Sequence, residues 1–202
     1  VIPLEPDAAA ARAALGLGAD IKVFDRHIYR LQRLKYAVGQ SVYTSIIDSD
    51  TLREAISRAD VVIGAMRGEN GQSPCVVTEE MVAGMNPNSI IIDVSIDQGG
   101  CFETSRLTTH DKPVFKHLDV IHYCVPNIAS RVARTASIAL SNVFLPFLLE
   151  VGTIGGIEEM LYSSRWIMKG VYTYKGSITN AHIAQKFKMP YKDLSLLMMA
   201  RL

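Results

Sequence analysis

Two rhythms of apolar residues alternate along this chain. Short runs rich in Val and Ile at 21–25, 41–47, 61–65, 90–97 and 120–125 predict β-strands. Between them, apolar residues three or four apart predict helices at 8–15 and 27–38, and further helices starting at 48 and at 78. In the second helix Ile28, Leu31, Leu34 and Val38 share one face, and the basic residues fall largely elsewhere. Leu52, Ala55, Ile56 and Ala59 do the same in the third, behind the N-cap candidates Asp48, Ser49 and Asp50. Residues 102–117 follow neither rhythm and are expected to be irregular. Strands spaced by helices at this pitch imply right-handed βαβ crossovers, and so an α/β fold on a doubly wound parallel sheet.

After residue 125 the rhythm stops. Pro126-Asn127 breaks the last strand, and no further strand-helix unit of that type follows. A long apolar helix is predicted from about 134 to 150, with Pro146 as a kink or a junction. A short helix at 157–162, a strand-like 170–174 and a helix at 181–187 complete a mostly helical partial second lobe. The expected division is therefore 1–133 and 134–202. The longest apolar segment, 135–149, carries Ser137, Ser141, Asn142 and Pro146 and stops at Glu150. It is too short for a bilayer span and is expected to be a core helix.

Composition narrows the class. Nearly half the residues are apolar, 49%, so a proper core is available. The formal charge of +1 is spread without basic blocks, which argues against nucleic acid as a partner. Cys75, Cys101 and Cys124 are far apart and odd in number, so neither a disulfide framework nor a zinc site is expected, and a reducing cytoplasm fits best. No signal peptide is visible. The chain opens on Val1-Ile2-Pro3 without an initiator Met, which suggests a processed product or a fragment.

The candidate chemistry sits at the ends of predicted strands, where open α/β sheets bind ligands. The run Ile90-Ile91-Ile92-Asp93-Val94-Ser95-Ile96-Asp97 is expected to be buried on both faces and to end in the carboxylate of Asp97, followed by Gln98, Gly99 and Gly100. Its plainer reading is that Asp93 and Asp97 only cap or solvate a strand end. Asp25 ends the strand at 21–25, where a dinucleotide-binding fold places the acid that accepts ribose hydroxyls. A carboxylate there favours NAD over NADP, and Arg26 and Arg30 weaken that preference because either can meet a phosphate. Asp25 as a helix N-cap is the alternative. The glycine fingerprint that should precede it is absent, replaced by Ile2-Pro3-Leu4-Glu5-Pro6-Asp7.

Four segments then resemble a known family. Asp60-Val61-Val62-Ile63-Gly64-Ala65, the run from Ile92 through Asp97-Gln98-Gly99-Gly100-Cys101 to Glu103, Thr108-Thr109-His110, and His122-Tyr123-Cys124-Val125-Pro126-Asn127-Ile128 resemble NAD-dependent alanine dehydrogenases, in that order. The similarity runs from about residue 10 to residue 197. The second and fourth segments are shared with a near relative, the soluble subunit of proton-translocating transhydrogenase.

The resemblance implies a Rossmann-type NAD-binding domain and the reversible oxidative deamination of L-alanine to pyruvate and ammonium. It implies that Asp25 holds the adenosine ribose with Arg30 nearby, and that Ala65 and Met66 line the cofactor cleft. Ile96, Asp97, Val125, Asn127 and Ile128 would surround the nicotinamide, with Asp97 as the catalytic residue beside the substrate. A cytoplasmic homo-oligomer, a hexamer by family, is implied, with no metal and no membrane partner. Family members also carry an N-terminal lobe that supplies an arginine, a lysine and a catalytic histidine, and none of it matches this sequence. The alternatives are a remnant that no longer binds NAD, or a soluble nucleotide-binding piece of transhydrogenase.

Overall fold

Capping residues set the element starts in the first half of the chain. Asp48 accepts a hydrogen bond from the Thr51 amide at 3.0 Å and opens a helix, and Thr78 accepts from the Met81 amide at 3.3 Å and opens another. The computed structural model describes residues 7–68 and 72–199. Its α-helices and strands up to residue 123 are α1 (Asp7–Gly16), β1 (Lys22–Asp25), α2 (Ile28–Val38), β2 (Tyr43–Ile46), α3 (Ser49–Ser57), β3 (Val61–Gly64), α4 (Glu79–Ala83), β4 (Ile90–Asp93), β5 (Val114–His117) and β6 (Val120–Tyr123). The expectations about residues 1–6, including the missing glycine loop, lie outside the described residues.

β1 and β2 pair in parallel, and β3, β4, β6 and β5 form a second sheet in that order. β3, β4 and β6 run parallel, which puts their carboxyl ends on one edge. β1 and β2 are not hydrogen-bonded to that second sheet, and Ile63 of β3 packs against the cluster of Ala11, Val23, Leu31 and Leu34. A larger cluster fills the other side of the parallel strands: Ile91, Val62 and Val120 pack with Leu52 and Ile56 of α3 and with Val82 of α4. The fold is α/β, as expected.

Three expectations need correction. The sheet is mixed, because β5 runs antiparallel to β6 in a stretch expected to be irregular. Leu118 and Asp119 join them in a two-residue turn, both at positive φ (51° and 60°), the conformation that matches hairpin twist. Nothing in Leu-Asp announces it, since Asn-Gly is the usual signature. The strand of the Ile90 run stops at Asp93, because the Asp93 carboxylate accepts from the Ser95 amide at 2.9 Å and turns the chain. Only one of its faces is fully buried, with Ile90 and Ile92 partly exposed. Ile28 is 61% exposed, so the buried face of α2 rests on Leu31 and Leu34.

Two compact units divide at residue 128, Val1–Ile128 and Ala129–Leu202. The second contains α5 (Ala133–Ile154), α6 (Ile157–Ser163), α7 (Arg165–Met168), the hairpin β7 (Thr173–Tyr174) and β8 (Ser177–Ile178), α8 (Ala181–Phe187) and α9 (Leu194–Met199). Leu161, Tyr174, Leu194 and Met198 form its small core. α5 is not the expected core helix. It buries none of its residues, and Val143, Leu145, Leu148 and Leu149 are all more than half exposed. Pro146 lies inside it. The helical run Ile128–Ile154 holds an 18-residue window of mean hydropathy 1.6 and is by length and composition enough to cross a membrane, so the expectation that the segment falls short in length does not hold.

Candidate functional site

The carboxyl ends of β1, β3, β4 and β6 carry the polar residues. Asp25 closes β1 and is 2% exposed. Its Oδ1 accepts from the His27 amide at 2.7 Å, and its Oδ2, also buried, accepts no hydrogen bond among the described residues. The Nη1 of Arg30, in the first turn of α2, stands 4.0 Å from that oxygen. The Arg30 guanidinium is partly engaged elsewhere, with Nε donating to the Tyr29 hydroxyl at 3.1 Å. A buried acceptor without a donor is costly. Asp25 is not the N-cap of α2, which is His27.

β3 and β4 are tied together just past their ends. The Val94 amide donates to the Gly64 carbonyl at 2.8 Å. A side chain at Gly64 would collide with those of Cys101 and Phe102, so glycine leaves room for them against the end of β3. Ala65 and Met66 follow, and the Met66 carbonyl accepts from the Ser73 hydroxyl at 2.9 Å.

Past β4 the chain enters a 3-10 turn, Ile96–Gln98. Asp97 therefore stands on a turn and not on the strand. It is exposed, and its two oxygens share the Asn127 amide at 3.0 and 3.1 Å. Asn127 adopts φ +51°, a left-handed conformation that asparagine tolerates better than most residues. Ile96 and Val125 are buried and shape this edge from below, while Ile128 is partly exposed.

Asp93 is the buried acid that sequence reasoning left as a strand cap. Burial pushes its carboxyl above the ordinary value, and hydrogen bonds from Ser105, Cys101 and Ser95 oppose only part of that. A folded value above the unfolded one means that the protonated form favours the fold. That contribution is full below the unfolded value and fades as pH rises through the folded one. The stability of wild type relative to Asp93→Asn is thus expected to rise as pH falls from about 7 toward about 4, the ordinary carboxylate range. Urea unfolding across that range checks it, and a difference independent of pH contradicts it.

The other titratable groups are occupied structurally. Burial and the neighbouring Asp93 push the Cys101 thiol up to about 12, which leaves it unreactive as a thiolate. Burial lowers the value of His122, whose Nδ1 donates to the Val120 carbonyl at 3.1 Å, leaving Nε2 to accept from the Thr104 hydroxyl at 2.8 Å. Its ring stacks on Phe115 at 4.8 Å. Among the described residues no three His, Cys, Asp or Glu side chains are grouped to hold a metal ion.

Comparison with known proteins decides what this arrangement belongs to. Residues 7–181 match the family described as alanine dehydrogenase/PNT, C-terminal domain. The chain belongs to this family. It is 40% identical over 184 residues to an alanine dehydrogenase of Mycolicibacterium smegmatis, covering 91% of this chain and 49% of that protein. It is 40% identical over 186 residues to alanine dehydrogenase 2 of Staphylococcus aureus (strain USA300), covering 92% and 50%. A solved L-alanine dehydrogenase superposes with TM-score 0.79 at 33% identity, over 89% of this chain and 49% of that one. A transhydrogenase from Sinorhizobium meliloti, TM-score 0.64 at 23% identity over 86% and 46%, shares the fold. The chain spans about half the length of the relatives it matches.

Within this alanine dehydrogenase/PNT domain the structure joins Asp25 to Arg30 at one strand end and Asp97 to Asn127 at another. Sequence reasoning missed Asp93, Ser105 and Ser73 as participants. The signal for Asp93 was the Asp-x-Ser spacing of residues 93–95, a local side-chain-to-backbone turn.

Proposed function

We propose that this chain is the NAD-binding portion of an alanine dehydrogenase. The whole enzyme would interconvert L-alanine with pyruvate and ammonium in the cytoplasm. The observation that carries the reading is the buried Oδ2 of Asp25, which lacks a donor at the strand end where a doubly wound fold receives a ribose. The residues fit that group: Asp25 offers an acceptor for a hydroxyl, and Arg30 beside it offsets the buried charge. Ala65 and Met66 would line the cleft, and the chain from Val125 to Ile128 would flank the nicotinamide end.

The cofactor supplies the hydride acceptor, and the protein's work is binding and orientation. Asp97 keeps most of its accepting capacity, since its two oxygens share a single amide donor. In this reading it would orient water or ammonium at the substrate carbon. The remaining substrate contacts would come from the half of the relatives' length that this chain does not span. Self-association is supported by the exposed apolar side chains of α5, a surface that another subunit would cover. The free thiols, among them the exposed Cys75, accord with a reducing compartment.

NADH titration by nicotinamide fluorescence tests the reading. Binding tighter than about 1 mM is expected, and anything weaker removes the cofactor role and leaves a remnant that no longer binds NAD. In the same sample, alanine plus NAD is expected to show no turnover. Appreciable activity would overturn the requirement for the other half.

A further inference from the structure

The loop of residues 95–101, which carries Asp97, begins and ends on one buried carboxylate. Asp93 Oδ1 accepts from the Ser95 amide at 2.9 Å, and Oδ2 accepts from the Cys101 amide at 3.0 Å. Oδ2 also accepts from the Ser105 hydroxyl at 2.6 Å. Asp93 is 2% exposed, so water does not compete for these bonds. Inside the loop, the Gln98 and Gly100 amides both return to the Ser95 carbonyl, at 2.8 and 3.0 Å. On its outer side, the Ser73 amide donates to Gln98 O at 2.7 Å and the Val76 amide to Cys101 O at 2.9 Å.

Asp97 carries the loop's contact to the segment after β6, at the amide of Asn127. We propose that Asp93 is a positioning residue whose buried carboxylate closes the 95–101 loop and thereby fixes Asp97 against Asn127. Asp93 itself touches neither substrate nor cofactor. The proposal rests on the reading of Asp97 given above for its consequence in function, but its geometry is testable alone.

Replacing Asp93 with Asn keeps the shape and turns one accepting oxygen into a donor that faces an amide or a hydroxyl. In the labelled full chain, amide hydrogen exchange at Ser95, Cys101 and Asn127 is expected to quicken about tenfold in Asp93→Asn. The amides of Ile90 and Ile121, which bond to Asp60 O and Ser89 O, serve as references and are expected to stay unchanged. A purely structural role would move the references too or leave Asn127 alone. Asn127 exchange within about twofold of wild type while Ser95 and Cys101 quicken overturns the proposal.

If Asp93→Asn loses protection at the references as well, Ser105→Ala is read in its place, since it removes the hydroxyl donor and leaves the carboxylate. About a threefold increase at Cys101 and Asn127 is then expected, and none at Asn127 overturns the proposal. NADH affinity is measured on the same variants, with about a three- to tenfold loss expected. Wild type that fails to bind NADH sinks the cofactor reading, while the exchange pattern still decides whether Asp93 holds Asp97.

Discussion

Replacing Asp25 with alanine is expected to weaken NADH binding about tenfold to a hundredfold. Hydrogen bonds to a charged acceptor contribute about 1.5–3 kcal/mol, and each ~1.4 kcal/mol is a factor of ten in affinity. Asp25 also holds the His27 amide, so alanine removes a turn contact together with the acceptor. Asp25→Asn separates the two, because its amide oxygen still serves His27 while its NH2 faces the ribose. Both variants should lose NADH affinity, and only Asp25→Ala should loosen the turn at His27.

NADPH gives the second arm of that experiment. The Asp25 carboxylate repels a 2′-phosphate, so wild type should prefer NADH. In Asp25→Ala the nearby Arg30, whose Nη1 lies 4.0 Å from the removed charge, is left to meet a phosphate. The preference should narrow. An NADH affinity unchanged in Asp25→Ala, measured by the same titration, would make Asp25 a turn residue and nothing more.

Local signals in this sequence carried over where the physics is local. Asp48 and Thr78 stand at the helix starts their side chains can cap, and α3 buries Leu52 and Ile56 as their spacing requires. The Ile90 run misled at its end because Val94 and Ile96 continue the β-branched pattern past the true stop. What ends the strand is the Asp93 carboxylate reaching the Ser95 amide, a contact that apolar periodicity does not encode. β5 escaped notice because its hairpin places Leu118 at positive φ, against the preference of a bulky side chain.

The site was legible in a similar way. Strand-end position pointed to Asp25 and Asp97 without any distance. The orphaned oxygen of Asp25 and the shared amide on Asp97 needed coordinates. For α5, apolar content predicted burial, but burial needs a covering layer, and a sequence does not say whether that layer belongs to the same chain.

Gly100→Ala is expected to cost about 2–4 kcal/mol of folding stability, with Gly39→Ala as its control. Both glycines have positive φ, +82° and +74°. A Cβ at Gly39 meets nothing within 4 Å, so that variant carries only the left-handed strain of about 1 kcal/mol. A Cβ at Gly100 would lie 2.6 Å from Asp93 Oδ2 and 3.2 Å from Ser105 Cβ. That oxygen cannot swing aside without leaving the Cys101 amide and the Ser105 hydroxyl, which adds about 1–3 kcal/mol for buried donors left without their acceptor. Urea unfolding reads the difference as a lower midpoint at an unchanged slope. If Gly100→Ala costs no more than Gly39→Ala, the carboxylate yields easily. A carboxylate that yields cannot hold the loop that carries Asp97, so the same measurement bears on how firmly that acid is set.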